Sequence, residues 1–139
     1  MMKTIILMSI LLTVGVFQAE MVQAQNAAKK PVLDIYYTHS TNRCAGCNAI
    51  EKETVATLNK DFKSQLESGE IALHIINIDL KENKSLVNEF EIWGSSLFIV
   101  KNGDKKNTID LTKEGFATAR TKPETFQTTL VNAVNKALK

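Results

Sequence analysis

The spacing of hydrophobic and polar residues changes from one segment of the chain to the next, and each spacing predicts a type of secondary structure. The segment VLDIYYT, residues 32–38, is rich in β-branched and aromatic residues and predicts a strand. A helical spacing of about 3.6 residues begins near the cysteines, and Gly69 suits the end of that helix. The apolar positions of this predicted helix are Ile50, Val55, Leu58, Phe62 and Leu66.

Two more strand signals follow in the second half of the chain. The segment IALHIINID, residues 71–79, is almost continuously apolar, which predicts a strand covered on both faces. The segment SLFIVKNGDKKNTIDLT, residues 96–112, predicts two strands. They should be joined at Asn102-Gly103, because this dipeptide favours the tight turn of a β-hairpin.

Two further helices complete the pattern. A short one is expected around Leu86, and a long one should start at Pro123, since proline suits the first position of a helix. The segment KEGFATAR before it fits neither period and is left open. The apolar stripe of the last helix is Phe126, Leu130, Val134 and Leu138.

The order of elements is strand, helix, strand, helix, strand, strand, helix. The long connection between the first two strands predicts a parallel pair with a right-handed crossover, and the last two strands form an antiparallel hairpin. The prediction is therefore an α/β fold, a mixed four-stranded sheet with helices on both faces. Its site should lie where the first strand feeds the first helix, because α/β sheets place their sites at the carboxyl ends of parallel strands.

The first 24 residues resemble a secretory signal peptide and not part of this domain. Lys3 gives a charged start, residues 5–17 form an apolar run, and Val22-Gln23-Ala24 offers small residues for cleavage. A helix needs about 20 residues to span a bilayer, so cleavage after Ala24 is favoured over a retained anchor. We expect a domain of residues 25–139, periplasmic or secreted, without stable membrane insertion after cleavage.

Charge excludes one class of partner. The chain has 17 basic and 15 acidic residues, a net charge of +2, and no basic stripe with interleaved aromatic residues. Nucleic acid is therefore not an expected partner. No flavin or nicotinamide motif is present, so no cofactor is expected.

The two cysteines, Cys44 and Cys47, carry the candidate chemistry in the segment TNRCAGCNAIEKE. A structural disulfide closing four residues would contribute only about 2 kcal/mol to stability, less than a longer loop would. A redox pair fits better, because the positive end of a helix favours a thiolate and Arg43 adds a charge beside it. Cys44 would then be the nucleophile and Cys47, one turn further in, the resolving cysteine.

A soft-metal or metalloid site is the remaining alternative. Two thiolates bind soft metals, and His39 lies five residues before Cys44. Zinc sites usually need four ligands, however, and the chain has only two cysteines and two histidines. The second histidine, His74, lies inside an apolar strand and is expected to be a strand residue. A metal site would need an incomplete shell or a second molecule.

The chain resembles the thioredoxin superfamily over nearly all of residues 25–139. The resemblance rests on VLDIYYT followed by CAGC and a long helix, then IINID, IWGSSLFIVKNG and a last helix. More narrowly, YYTHSTNRCAGC and IEKET resemble small exported proteins of the nitrophenyl compound nitroreductase subunit ArsF family. The resemblance implies a thioredoxin-like fold with Cys44 as nucleophile and Cys47 as resolving cysteine. It also offers Asp34 as the buried acid that accepts a proton from the resolving thiol, against an exposed edge aspartate as the alternative.

Three departures from thioredoxin accompany the resemblance. No tryptophan precedes Cys44, and Ala45-Gly46 replaces Gly-Pro between the cysteines. Residues 94–96, Gly-Ser-Ser, stand where thioredoxins carry a cis-proline, and an ordinary trans peptide is expected there because a cis bond without proline costs about 3 kcal/mol.

The sequence thus predicts an exported thiol–disulfide oxidoreductase with Cys44, Cys47 and Arg43 at its site. Its expected partners are substrate protein thiols and a redox partner protein or membrane electron carrier. Because Arg43 and the helix end favour the Cys44 thiolate, and hence the reduced form, a relatively oxidising pair is expected.

Overall fold

The computed structural model describes residues 30–139, and the predicted signal peptide and the start of the domain at residue 25 lie outside the described residues. The strands are β1 (Leu33–His39), β2 (Ile71–Asn77), β3 (Ser96–Lys101) and β4 (Asp104–Asp110). The helices are α1 (Ala45–Asp61), α2 (Lys63–Glu67), α3 (Lys84–Glu89), α4 (Thr112–Thr118) and α5 (Pro123–Leu138). A short 3₁₀ turn, Lys81–Asn83, precedes α3.

The four strands form one mixed sheet in the order β2-β1-β3-β4. β1 runs parallel to β2 and antiparallel to β3, and β3 runs antiparallel to β4. In this register Tyr37 of β1 lies between Ile75 of β2 and Leu97 of β3. The predicted α/β class and mixed four-stranded sheet are confirmed, in an arrangement consistent with a thioredoxin-like fold.

Alternation along β1 sends side chains to two separate cores. Leu33, Ile35 and Tyr37 point to the face covered by α1 and α5, and all three are fully buried. Tyr36 points to the opposite face, where it packs with Phe98 and with residues of α3. Helices therefore cover both faces of the sheet, and the central position of β1 places its carboxyl end between the two layers.

One prediction for β2 was wrong. Its almost continuous apolar sequence predicted cover on both faces, but most of the strand is half-buried and Ile75 is 43% exposed. The reason is position, because β2 is an edge strand with a sheet neighbour on one side only. The helix layers reach past β1 but leave the edge partly open to solvent.

The turn and helix signals can be compared directly with the structure. The hairpin is confirmed, since Asn102 and Gly103 both adopt the left-handed conformation, with φ of 54° and 69°. Helix α5 begins at Pro123 as predicted, and Gly69, with φ of 73°, follows α2. The open segment KEGFATAR contains most of α4, whose apolar residues are too few to show a helical period.

The predicted first helix is interrupted at Phe62, which separates α1 from α2. The buried face of α1 also differs from the predicted apolar stripe. Thr54 and Thr57 are buried, whereas Val55 is only half-buried. The predicted stripe of α5 holds at its first three positions, and Leu138 at the end is half-buried.

Candidate functional site

The two cysteines lie at the amino-terminal end of α1, directly after the loop that leaves β1. Cys44 is the N-cap of the helix, and its sulfur accepts a hydrogen bond from the Cys47 backbone N–H at 3.0 Å. The two residues are joined by a disulfide, with their Cα atoms 5.0 Å apart. Cys44 is exposed, whereas Cys47 is 7% exposed. An incoming thiol can therefore approach Cys44 more easily than Cys47.

The loop before the cysteines is tied to the end of the neighbouring strand. The Thr41 backbone N–H donates to Asp79 Oδ2 at 2.6 Å, and Asn77 Nδ2 donates to Thr41 Oγ1 at 3.1 Å. Hydrogen bonds from the Thr41 backbone and hydroxyl lower the pKa of the exposed Asp79 carboxyl. This pairing fixes the path of the chain from β1 into the helix end.

Arg43 forms an ion pair with Glu51, two turns along α1. Its guanidinium carbon also lies 5.8 Å from the centre of the Tyr37 ring. Burial alone would lower the pKa of Arg43, but hydrogen bonds to Glu51 and Tyr37 outweigh it and raise that pKa. The sequence predicted that the Arg43 cation acts on the cysteine pair, but in the structure this cation is paired with the Glu51 carboxylate. The role of Arg43 at the site therefore stays a prediction.

Tyr37 connects the core of the sheet to the cysteine helix. Its ring is fully buried, and its hydroxyl donates to the Cys47 carbonyl oxygen at 2.6 Å. Burial raises the pKa of this phenol, although Arg43 and Ser95 lie within hydrogen-bonding reach of it and act in the opposite direction. Tyr37 is thus a packing residue that also holds the second cysteine in place.

Asp34 does not lie beneath the cysteine pair. In β1 it alternates with Leu33 and Ile35, so it faces the sheet side opposite α1 and Cys47. There its Oδ1 lies 2.8 Å from Nε2 of His74, and the residue is only 9% exposed. Neither earlier interpretation of Asp34 holds, because it is neither an acid next to the resolving thiol nor an exposed edge residue.

The loop of residues 94–96 lies against the buried cysteine. Ser95 Oγ is 3.4 Å from Cys47 Sγ, and Thr38 of β1 fixes the loop on either side of Ser95. Within residues 30–139 every peptide bond is trans, as expected for this proline-free loop. Where thioredoxins carry a cis-proline, this chain thus places a serine hydroxyl in contact with the Cys47 sulfur.

Two aromatic side chains are exposed, one beside the cysteine segment and one just before the loop of residues 94–96. The Phe116 ring of α4 lies beside Gly46, within 3.3 Å of the position that a Cβ atom would take there, and it is 44% exposed. Trp93, two residues before Ser95, is 94% exposed. The Phe116 ring is therefore exposed apolar surface beside the residues that separate the two cysteines.

The alternative metal site gains no further ligands from the fold. Among residues 30–139 no three histidine, cysteine or acidic side chains are grouped to hold a metal ion. His39 Nδ1 is engaged with the Ser40 carbonyl oxygen at 2.9 Å, and His74 is engaged with Asp34. Cys44 and Cys47 would therefore need a ligand from another molecule to complete a shell.

Sequence reasoning found the cysteines and Arg43 but missed four neighbours, which are Thr38, Glu51, Ser95 and Phe116. Glu51 carries a local signal, because seven residues from Cys44 is two helical turns and places it on the same face. Ser95 was noted only because residues 94–96 depart from the thioredoxin pattern, which has a cis-proline there. Phe116 and Thr38 carry no signal of their own, since their contacts depend on the tertiary fold.

Comparison with known proteins adds no name to this site. No protein-family model matches the chain, and no curated protein matches it significantly. None of the helices between residues 30 and 139 combines the length and apolar character needed to cross a membrane.

Proposed function

We propose that this protein is an exported thiol–disulfide oxidoreductase of the thioredoxin-like type, similar to the small exported proteins of the nitrophenyl compound nitroreductase subunit ArsF family. The observation that carries the proposal is the asymmetric pair at a helix end. Cys44 is exposed and its sulfur receives a backbone N–H, while its disulfide partner Cys47 is buried. Such an environment favours a thiolate at the first cysteine.

The exchange reaction uses both sulfurs in sequence. In the reducing direction the Cys44 thiolate attacks one sulfur of a substrate disulfide and bonds to it, while the other substrate sulfur leaves as a thiolate and takes a proton from solvent. Cys47 then loses its proton and attacks Cys44 in the mixed disulfide. The Cys44–Cys47 disulfide forms, and the second substrate sulfur leaves as a thiolate. Two electrons pass from the protein to the substrate, and the oxidising direction is the reverse.

The direction of transfer follows from which form the protein stabilises. A helix end and a backbone N–H stabilise the Cys44 thiolate, which exists only in the reduced protein. Stabilising the reduced form makes the disulfide a better oxidant. We therefore propose a relatively oxidising pair that acts on substrate protein thiols, and a redox partner protein or membrane electron carrier that regenerates it.

The proposal is tested by direct transfer. The oxidised mature chain is mixed with a reduced dithiol peptide, and both are followed by alkylation and mass spectrometry. One peptide disulfide should form for each protein disulfide lost. A protein disulfide that stays intact beside the reduced peptide would overturn an oxidising role. If the reduced chain also failed to reduce a peptide disulfide, the proposal of an oxidoreductase would be overturned.

The Arg43–Glu51 pair should tune the reactivity of Cys44 in two opposite directions. Arg43→Gln removes the cation and should slow alkylation of Cys44, whereas Glu51→Gln frees the cation and should accelerate it. Each change should be about twofold to fivefold, as expected for one partly screened charge. The measurement is the alkylation rate below neutral pH in a Cys47→Ser background. Equal rates in both variants would show that Arg43 does not act on the sulfur.

A further inference from the structure

We propose that Ser95 acts on the buried half of the cysteine pair, where its hydroxyl donates a hydrogen bond to the Cys47 sulfur and stabilises the thiolate that forms there during exchange. This inference rests on the proposed function and assigns it a further residue. Ser95 would give the Cys47 sulfur a hydrogen-bond donor of its own, whereas the Cys44 sulfur already accepts a hydrogen bond from a backbone N–H.

The geometry supports a specific contact. Ser95 Oγ lies 3.4 Å from Cys47 Sγ, within hydrogen-bond distance for a sulfur acceptor. Cys47 is 7% exposed, so water has little access to its sulfur. A buried ion needs compensating hydrogen bonds, and a thiolate at this position finds the Ser95 hydroxyl next to it.

The hydroxyl is held in place by the strand that also supports the cysteine helix. The fully buried Thr38 donates to the Gly94 carbonyl oxygen at 2.9 Å and accepts from the Ser96 backbone N–H at 3.0 Å. These two bonds bracket Ser95. Tyr37, the residue before Thr38 in β1, holds Cys47 in place, because its hydroxyl donates to the Cys47 carbonyl oxygen. The two halves of the contact are therefore fixed to consecutive residues of one strand.

Other charged and titratable groups near Cys47 do not replace Ser95. Asp34 lies on the opposite face of the sheet, and Arg43 is paired with Glu51. The Tyr37 oxygen is within reach of Ser95 and competes for its single proton. When Cys47 becomes an anion, the charged sulfur is the stronger acceptor, so the hydroxyl turns to it.

The donor acts at one step of the exchange. The Cys47 thiol loses its proton and the thiolate attacks Cys44 in the mixed disulfide. The substrate sulfur leaves with the bonding electron pair and takes up the proton that Cys47 has lost. A hydrogen bond to the thiolate favours deprotonation before attack. Once the disulfide has formed, Cys47 carries no charge and the contact weakens.

The test isolates the second thiol. In a Cys44→Ser background Cys47 is the only thiol, and its titration is followed by the ultraviolet absorbance of the thiolate. Adding Ser95→Ala should lower the thiolate fraction at a fixed pH by about tenfold, as expected for the loss of one hydrogen bond to an ion. Ser95→Thr keeps the hydroxyl and should restore the titration. Ser96→Ala is the matched control, because Ser96 Oγ contacts the Gly94 carbonyl oxygen and should leave the titration unchanged.

An identical titration in the Ser95→Ala and parent proteins would overturn the inference. So would an equal shift in Ser96→Ala, since that would report loosening of the loop and not loss of a donor. The readout is the thiol itself and requires no exchange activity. If Ser95→Ala lowered the thiolate fraction of Cys47 as expected, but the protein did not exchange disulfides, only the proposed function would be overturned.

Discussion

Replacing Cys44 by serine should reduce thiol–disulfide exchange to the background rate. Cys44 is the exposed sulfur at the helix end, and no second exposed thiol can substitute for it, because the chain has only two cysteines and the other is buried. The measurement is transfer between the mature chain and a disulfide-linked reporter peptide. Full turnover by the Cys44→Ser protein would contradict the assigned nucleophile.

The matched variant at the second cysteine should fail in a different way. Cys47→Ser keeps the nucleophile but removes the thiol that resolves the mixed disulfide. The protein should therefore accumulate a covalent adduct with its substrate, visible by mass under non-reducing conditions. A Cys47→Ser protein that turns over normally would show that the buried sulfur takes no part.

Phe126→Ala should have the largest effect on stability, about 3–5 kcal/mol in the free energy of unfolding. Phe126 is fully buried in α5 and belongs to the core that α1 and the sheet share. Truncation removes apolar contacts and leaves a cavity that rigid neighbours cannot fill completely.

Denaturant unfolding of the oxidised protein measures this effect. Asn132→Ala is the control, because Asn132 is exposed on the same helix and its truncation should change stability by about 0.5 kcal/mol or less. Equal midpoints for the Phe126→Ala and Asn132→Ala proteins would mean that α5 does not pack as described.

Much of the fold could be predicted because its elements carry local signals. The turn at Asn102-Gly103, the start at Pro123 and the apolar strand of residues 32–38 each express a backbone preference that tertiary contacts reinforce. The exposure of β2 could not be predicted in the same way, because an apolar run indicates a strand but does not give the place of that strand in the sheet. The segment that forms helix α4 was left open for a related reason, since the packing of α4 on α1 depends on Gly115 lying close to Ile50.

The residues of the candidate site could also be predicted only in part. Cys44 and Cys47 are recognisable by spacing, and their position at a helix end followed from the period of the residues after them. The contacts of Tyr37, Thr38 and Ser95 bring together residues far apart in the chain, so no local pattern reveals them. The prediction for Asp34 failed for a different reason. The resemblance to thioredoxins suggested that it accepts a proton from Cys47, although strand alternation sends its side chain to the face of the sheet opposite the cysteines.

The reduction potential of the Cys44–Cys47 pair tests the central claim most directly. The mature, metal-free chain is equilibrated in glutathione buffers, and its free thiols are counted by alkylation and mass shift. An oxidoreductase should give a midpoint between about −270 and −120 mV, the range from thioredoxin to strong oxidants, and this pair should lie toward the oxidising end. A disulfide that stays closed in every buffer would contradict the claim in favour of a structural bond, and a pair that never oxidises would contradict it in favour of a soft-metal site.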